Sequence, residues 1–209
     1  MRARKPVHIG KNIIGQFPSL KMKRMIWFES TIERDFIYIL EYDSGVVHFE
    51  EQPLTIEYAT GSKFHKYTPD FKIETVESVI LVDCKPESEA ERVEHRIKFD
   101  AAAEWCEERA WDFQVVTDRD IREGNYLANV KTLVHHCRRS VASATLKRAE
   151  DILSTRACTL RELATLIDTN RIAAVEADLL CLAFHRRLTV DVTENVIDGQ
   201  SQIGLGVRP

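Results

Sequence analysis

Apolar and polar positions follow two different periodicities along this chain, and the changes between them predict its elements. Over residues 30–41 the apolar side chains recur at helical spacing, which predicts a helix. Ser30 and Glu33 fit a capping box at the start of that helix. Four short β-prone runs follow and predict strands at residues 46–49, 55–58, 64–73 and 78–85.

The last of these runs is almost wholly apolar before its charged end, as expected of a central strand that is covered on both faces. A long helix over residues 88–109 and a strand at residues 113–116 are predicted next. A strand, helix, strand unit implies a right-handed crossover and a parallel strand pair. The predicted fold class is therefore α/β, with a restriction-endonuclease-like mixed β-sheet flanked by helices.

The pattern changes beyond about residue 140, where short helical segments replace the strands. A second capping box, Thr159 to Glu162, predicts a helix that ends at Ile167. Asn170 is predicted to cap another helix that ends near His185. Strand-like residues follow at 188–192, and residues 204–209 resemble a loose tail. This order is typical of a small, mainly helical, winged-helix-like domain.

Three regions are predicted from these patterns. Residues 1–24 form a basic N-terminal arm, and residues 25–140 form the α/β domain, which a helix over residues 126–139 closes. Residues 141–209 form the small helical domain. A chain of 209 residues is long enough for one medium domain and one small one.

The predicted strands bring two carboxylates and a lysine together. A turn centred near Val76 and Glu77 would set Asp70 opposite Asp83 on antiparallel strands, and Lys85 would share their face. Two facing aspartates repel each other unless a cation neutralises them. Oxygen ligands suit Mg²⁺ or Mn²⁺, so the pattern indicates a metal-dependent phosphodiesterase.

Each of these residues also has a structural interpretation. Aspartate after proline is common in turns, as at Asp70, and Asp83 with Lys85 could be a simple ion pair at a strand end. The combination is more specific than its parts and favours catalysis. Glu33 already has a capping role, and other carboxylates lie near it in the sequence, so the residue pattern alone does not select among Glu33, Glu41, Glu50 and Glu51.

Charge is unevenly distributed. The formal net charge is -4, yet the first 24 residues contain seven basic side chains and no acidic one, while the remainder has 22 basic against 33 acidic. Such an arm could follow a phosphate backbone, although a solvated tail is an equal alternative. The candidate DNA-binding residues are Arg2, Arg4, Lys5, Lys11, Lys21, Lys23 and Arg24.

The five cysteines are scattered singly, with no C-x-x-C pair that would indicate zinc or a redox motif. Reduced thiols are expected. The apolar runs are too short to cross a bilayer, and the basic N-terminus lacks a signal-type apolar core. No membrane association and a cytoplasmic location are therefore expected.

Taken together, the motifs resemble the TnsA-type endonucleases of Tn-seven-like heteromeric transposases, within the PD-(D/E)xK nuclease superfamily. The resemblance covers residues 12 to 120. The stretches that carry it are Phe17-Pro18-Ser19-Leu20-Lys21, Phe28-Glu29-Ser30-Thr31-Ile32-Glu33-Arg34-Asp35-Phe36, Leu40-Glu41-Tyr42-Asp43, Glu51-Gln52-Pro53, Tyr67-Thr68-Pro69-Asp70-Phe71 and Val82-Asp83-Cys84-Lys85-Pro86.

The resemblance implies an active site. Glu33 matches the family's helix-borne glutamate, Asp70 its central metal-binding aspartate and Lys85 its catalytic lysine. Asp83 falls where the superfamily usually has glutamate and where some TnsA-type enzymes have glutamine, so its side chain is one methylene shorter. The implied metal ligands are Glu33, Asp70 and Asp83, and the implied cofactor is Mg²⁺ or Mn²⁺.

The resemblance also implies a function. The protein would be a magnesium-dependent endonuclease that cuts the 5′ ends of a transposon in double-stranded DNA, together with an integrase-type transposase and an AAA+ regulator. The C-terminal domain would engage these partners. Two alternatives keep the fold: a non-catalytic adaptor that binds DNA ends, and a stand-alone restriction or repair nuclease.

Overall fold

A computed structural model describes residues 13–206 and divides the chain into two compact units, Met1–Ile121 and Arg122–Pro209. The first unit contains a four-stranded mixed sheet in the order β3-β6-β7-β8. Its strands β3, β6 and β7 pair antiparallel, whereas β7 and β8 are parallel. These four strands are Val46–Glu51 (β3), Phe71–Thr75 (β6), Val79–Lys85 (β7) and Asp112–Thr117 (β8).

Two further hairpins belong to this unit. Strands β1 and β2 pair with each other, as do β4 and β5, and neither pair joins the central sheet. The single strand predicted over residues 64–73 is therefore wrong. It breaks at Thr68-Pro69-Asp70, because proline has no amide proton for a ladder. The hairpin strands are Gly15–Ser19 (β1), Arg24–Phe28 (β2), Ile56–Thr60 (β4) and Lys63–Tyr67 (β5).

The helices of this unit differ from the sequence prediction in one place. The first, α1, is Thr31–Tyr42, and Ser30 caps it as predicted. The long helix predicted over residues 88–109 is instead a four-residue helix, α2, Glu87–Ala90, followed after a break by α3, Val93–Glu107. Both lack a side-chain cap at their first turn. A short helix, α4, Asp118–Arg122, follows β8.

The second unit contains four helices and a small sheet in the order β10-β11-β9. Thr159 and Glu162 form the predicted capping box, with both reciprocal hydrogen bonds present. Arg171, and not Asn170, is the N-cap of the last helix. Gly204 and Leu205, which were predicted to begin a loose tail, instead end a strand and pair with Thr189 and Leu188, while residues 207–209 lie outside the described residues. The elements are Tyr126–His136 (α5), Ser143–Leu153 (α6), Cys158–Thr159 (β9), Leu160–Ile167 (α7), Ile172–Phe184 (α8), Leu188–Val190 (β10) and Gln202–Leu205 (β11).

The division between the units lies at Ile121, which differs from the boundary expected at residue 140. Helix α5 was expected to close the α/β domain, but it packs against α8 of the second unit. The amide of Asn129 on α5 also donates to the backbone carbonyls of Val192 and Asn195. A buried amide must find partners, and here they all lie in the second unit.

Among residues 13–206, no helix is both long and apolar enough to cross a membrane.

The second unit offers a matched pair of substitutions on one helix. Leu163 is fully buried on α7, whereas Leu166 is 38% exposed on the same helix. We expect Leu163→Ala to lower the free energy of unfolding by about 2–5 kcal/mol through the cavity it leaves, and Leu166→Ala by less than about 1 kcal/mol. Urea titration followed by circular dichroism measures both, and equal losses would contradict the assigned burial.

Candidate active site

The hairpin of β6 and β7 positions the two aspartates. Phe71 pairs with Val82, and the same register extended by one residue sets Asp70 opposite Asp83. The turn between the strands is closed by the Thr75 amide, which donates to the Ser78 carbonyl. This confirms the turn predicted at residues 76 and 77. The C-terminal end of the apolar strand β7 is buried, so the carboxylates of Asp70 and Asp83 are largely shielded from solvent.

Lys85 lies between the two carboxylates. Its Nζ is 2.6 Å from Asp83 Oδ2 and 3.9 Å from Asp70 Oδ2, and it also donates to the Cys84 carbonyl. Burial alone would lower the pKa of Lys85, but the charges of Asp70 and Asp83 outweigh burial and raise it. Lys85 is therefore held as a cation, which can offset negative charge but cannot accept a proton.

Asp83 is held from its other oxygen by a tyrosine. The Tyr67 hydroxyl donates to Asp83 Oδ1 over 2.6 Å, and both groups are buried. Burial, followed by the charge of Asp83, raises the pKa of Tyr67, so the hydroxyl keeps its proton and remains a donor. The sequence motif contains Tyr67, but nothing in the spacing indicated this contact.

Glu33 does not complete the capping box predicted for α1. Ser30 Oγ accepts from the Glu33 amide as expected, yet Glu33 Oε2 accepts from the Glu29 amide, one residue before the cap. Burial is the main cause that raises the pKa of Glu33. The charge of Lys85 acts in the opposite direction, which places Glu33 within electrostatic range of the site.

The charged form of Asp70 is strongly disfavoured. Burial raises its pKa well above the ordinary value, and the charges of Asp83 and Glu33 add to this effect. Two interactions oppose the rise: the charge of Lys85, and a 2.7 Å hydrogen bond that Asp70 Oδ2 accepts from the Cys84 amide. Three carboxylates therefore share a desolvated region with one strongly engaged cation.

A second lysine, which the sequence analysis did not identify, lies near this group. Lys98 on α3 places its Nζ 4.9 Å from the centre of the Tyr67 ring and 4.8 Å from that of Phe99. Burial lowers the pKa of Lys98, and the charge of Asp83 opposes that shift. Only the tertiary packing of α3 beside the hairpin brings it there, since 13 residues separate it from Lys85.

The donor set fits a divalent cation in its chemistry. Asp83 Oδ2 is buried, and the Lys85 ammonium 2.6 Å away offsets its charge. Burial is the first cause that raises the pKa of Asp70 and of Glu33, and a bound cation would favour their charged forms. Within residues 13–206, however, no three His, Cys, Asp or Glu side chains already converge on one metal position.

The basic N-terminal residues divide into three groups. Arg2, Arg4, Lys5 and Lys11 lie outside the described residues. Lys21 and Arg24 belong to the β1–β2 hairpin region and hold the fold: Lys21 donates to the Leu40 and Asp43 carbonyls, and Arg24 forms a two-point ion pair with Glu51. Lys23 lies in the turn at a positive φ of 54° and remains exposed. The last part of the arm expected at residues 1–24 belongs to the β1–β2 hairpin, which begins at residue 15.

Comparison with known proteins agrees with this geometry. Residues 43–118 match a family described as TnsA-like endonuclease N terminal. The matched residues include Asp70, Asp83 and Lys85, whereas Glu33 precedes them. None of the curated proteins that were compared with the chain matches it. Residues 43–118 are therefore similar to a TnsA-like endonuclease N-terminal domain, which supports the resemblance to TnsA-type nucleases of the PD-(D/E)xK superfamily.

Proposed function

We propose that this protein is a magnesium-dependent DNA endonuclease that cuts the 5′ ends of a transposon during cut-and-paste transposition. The observation that carries the proposal is the buried cluster of Asp70, Asp83 and Lys85 at the end of a hairpin within the matched family domain. Carboxylates that are costly to ionise without a counter-charge are typical of sites that bind a cation.

Asp70, Asp83 and Glu33 would hold the metal. When bound, Mg²⁺ would supply a Lewis acid that polarises the scissile phosphate. The Tyr67 hydrogen bond fixes Asp83 Oδ1, and the Lys85 ammonium, 2.6 Å from Oδ2, would have to shift for Oδ2 to bind a metal. The hydrogen bond from the Cys84 amide orients Asp70 in the same way. The short side chain of Asp83 is thus held rigidly from the hairpin beside it.

Lys85 would act as a cation in the hydrolysis. Its ammonium would orient the attacking water and stabilise the charge that develops on the phosphate. The water oxygen forms a bond to phosphorus while the bond from phosphorus to the 3′ oxygen breaks, and the proton lost by the water ends on that oxygen. The products carry a 5′-phosphate and a 3′-hydroxyl.

The second unit would be a winged-helix module that binds protein partners. Its order of helix, strand, two helices and a strand pair, with β11 between β9 and β10, supports this assignment. In such modules the second helix of the helix pair usually enters DNA. Here that helix, α8, packs against α5, and its polar residues include Glu176 and Asp178. A transposase subunit and an AAA+ regulator are the partners that the family implies.

The catalytic assignment is tested by nicking of transposon-end DNA in the presence of the partner transposase. We expect Asp70→Asn and Lys85→Ala each to reduce the Mg²⁺-dependent rate at least about 100-fold, because they remove a metal ligand and the phosphate-facing cation.

Asp100→Asn and Lys147→Ala, which change exposed residues outside the proposed ligand set, serve as controls and should cleave like the wild type. Undiminished cleavage by both cluster variants would refute the site. Loss of cleavage by the wild type itself, with DNA-end binding intact, would favour the adaptor alternative.

Metal binding should depend on pH. Protons compete with the cation for Asp70 and Glu33, whose pKa values are raised, so the increase in melting temperature on adding Mg²⁺ should grow as pH rises above about 4, the ordinary range of a carboxyl group. Differential scanning fluorimetry measures this increase. A shift that is equal at every pH would count against these carboxylates as ligands.

Without metal, the charge of Asp70 should destabilise the fold. A carboxyl whose folded-state pKa is raised contributes stability below its unfolded pKa of about 3.9, and that stability is lost as pH rises through the folded-state pKa. We therefore expect Asp70→Asn to raise the melting temperature at neutral pH in chelator, by about 2–4 °C per kcal/mol gained. Asn can still accept from the Cys84 amide, and a lower melting temperature would contradict the electrostatic account.

A further inference from the structure

The β4–β5 hairpin projects from the α/β unit as an arm. Its strands pair only with each other over five residue pairs, from Ile56 with Tyr67 to Thr60 with Lys63. The two-residue turn at its tip begins with Gly61 at a φ of +60°, a conformation that glycine adopts without strain. The arm is inserted in the chain between β3 and β6, the strands that lead into the active site.

One face of the arm is anchored in the core. Ile56 and Tyr67 are buried in a cluster with Leu81 of β7 and Phe99 of α3. Tyr58 is partly buried against the same cluster and stacks on His65 across the hairpin. The base of the arm is therefore held by the same side chains that hold β7 and α3.

The opposite face is exposed. Phe64 is 86% exposed. Successive side chains of a strand point to opposite faces, so Phe64 points outward where Tyr67, three positions later, points inward. Lys66 lies on the same outer face and forms a solvent-exposed ion pair with Glu57. Lys63 is exposed at the tip of the arm. A phenylalanine this exposed removes little apolar surface from water, so it contributes little to the stability of the fold.

The charge of the arm differs from that of its surroundings. Residues 25–121 contain 23 acidic and 10 basic side chains, whereas the arm contains two lysines and one glutamate. A phosphate backbone that approached the active site would meet repulsion over much of this unit and attraction at the arm. Cations beside a projecting apolar side chain are typical of proteins that contact a DNA groove and press a wedge between base pairs.

The arm is continuous with the active site. Tyr67, which donates to Asp83, lies three positions after Phe64, and Asp70 lies three positions after Tyr67. Six extended residues span at most roughly 20 Å, which is about six base pairs of duplex DNA. A duplex whose scissile phosphate lay at Asp70 and Asp83 could therefore reach Phe64.

We propose that the β4–β5 arm is a DNA-binding element, in which Phe64 presses against a base step and Lys63 and Lys66 contact the flanking phosphates. The proposal rests on the proposed function, because it takes the DNA substrate of the same active site as its ligand. Pressing on a base step within about six base pairs of the cut would fix the scissile phosphate at the carboxylates.

The test uses the full-length protein and a transposon-end duplex with 2-aminopurine at successive positions within about six base pairs of the mapped cut. Ca²⁺ replaces Mg²⁺ so that binding is measured without cleavage. We expect the wild type to raise 2-aminopurine fluorescence at one position, as an unstacked base does, and Phe64→Ala to abolish that rise and weaken binding about tenfold.

Val76→Ala is the matched control, since Val76 is also 86% exposed but lies in the turn at the other end of β6 from Asp70. It should behave like the wild type in both measurements. Lys63→Ala and Lys66→Ala should each reduce the slope of log affinity against log salt by about 0.9. Because Phe64 is exposed, its substitution should leave the melting temperature unchanged, which separates a binding defect from misfolding.

The outcomes distinguish this proposal from the proposed function. Equal affinity and fluorescence for the wild type and Phe64→Ala, while Asp70→Asn still abolishes cleavage, would overturn the DNA-binding arm alone. A Phe64→Ala defect that appears only when the partner transposase is present would make the arm a protein-docking element and would also overturn it. A wild-type protein that binds no transposon-end duplex would overturn both proposals.

Discussion

The pairing register of β6 with β7 is the constraint on which the site depends. It sets Asp70 against Asp83 at the buried end of an apolar strand, where neither charge is well solvated. Like charges this close are unfavourable, and the raised pKa of Asp70, caused first by burial and then by Asp83, expresses that cost. A shift of the register by one residue would send one carboxylate to the opposite face and abolish the pair.

The surrounding residues offset this cost without removing it. Lys85 supplies one positive charge, the Cys84 amide one hydrogen bond and the Tyr67 hydroxyl another. Tyr67 belongs equally to the core, because its ring packs with Phe99 and Leu81. The position of a candidate metal ligand is thereby tied to the packing of α3 and of the β4–β5 arm. The Tyr67 ring thus contributes to the hydrophobic core, while its hydroxyl contributes a hydrogen bond to the site.

The glutamates Glu33, Glu41 and Glu51 have different partners in the folded chain. Glu41 accepts from the Ser19 hydroxyl and from the amides of Leu20 and Lys21, which closes the β1–β2 turn. Glu51 pairs with Arg24. Both are fully engaged in holding the first hairpin. Glu33, by contrast, lies within electrostatic range of Lys85 and Asp70.

The sequence by itself determined the elements whose signals are local. The capped helix α1, the turn at residues 76 and 77, the apolar strand β7 and the capping box of α7 all depend on residues close together in the chain, and so does the spacing that brings Asp70 to Asp83. The tertiary structure decided the rest. It packed α5 into the second unit, placed Glu33 within electrostatic range of Lys85, and brought Tyr67 to Asp83 and Lys98 to Tyr67. These outcomes depend on which surfaces become buried against each other, and a single sequence does not encode such long-range contacts in any local pattern.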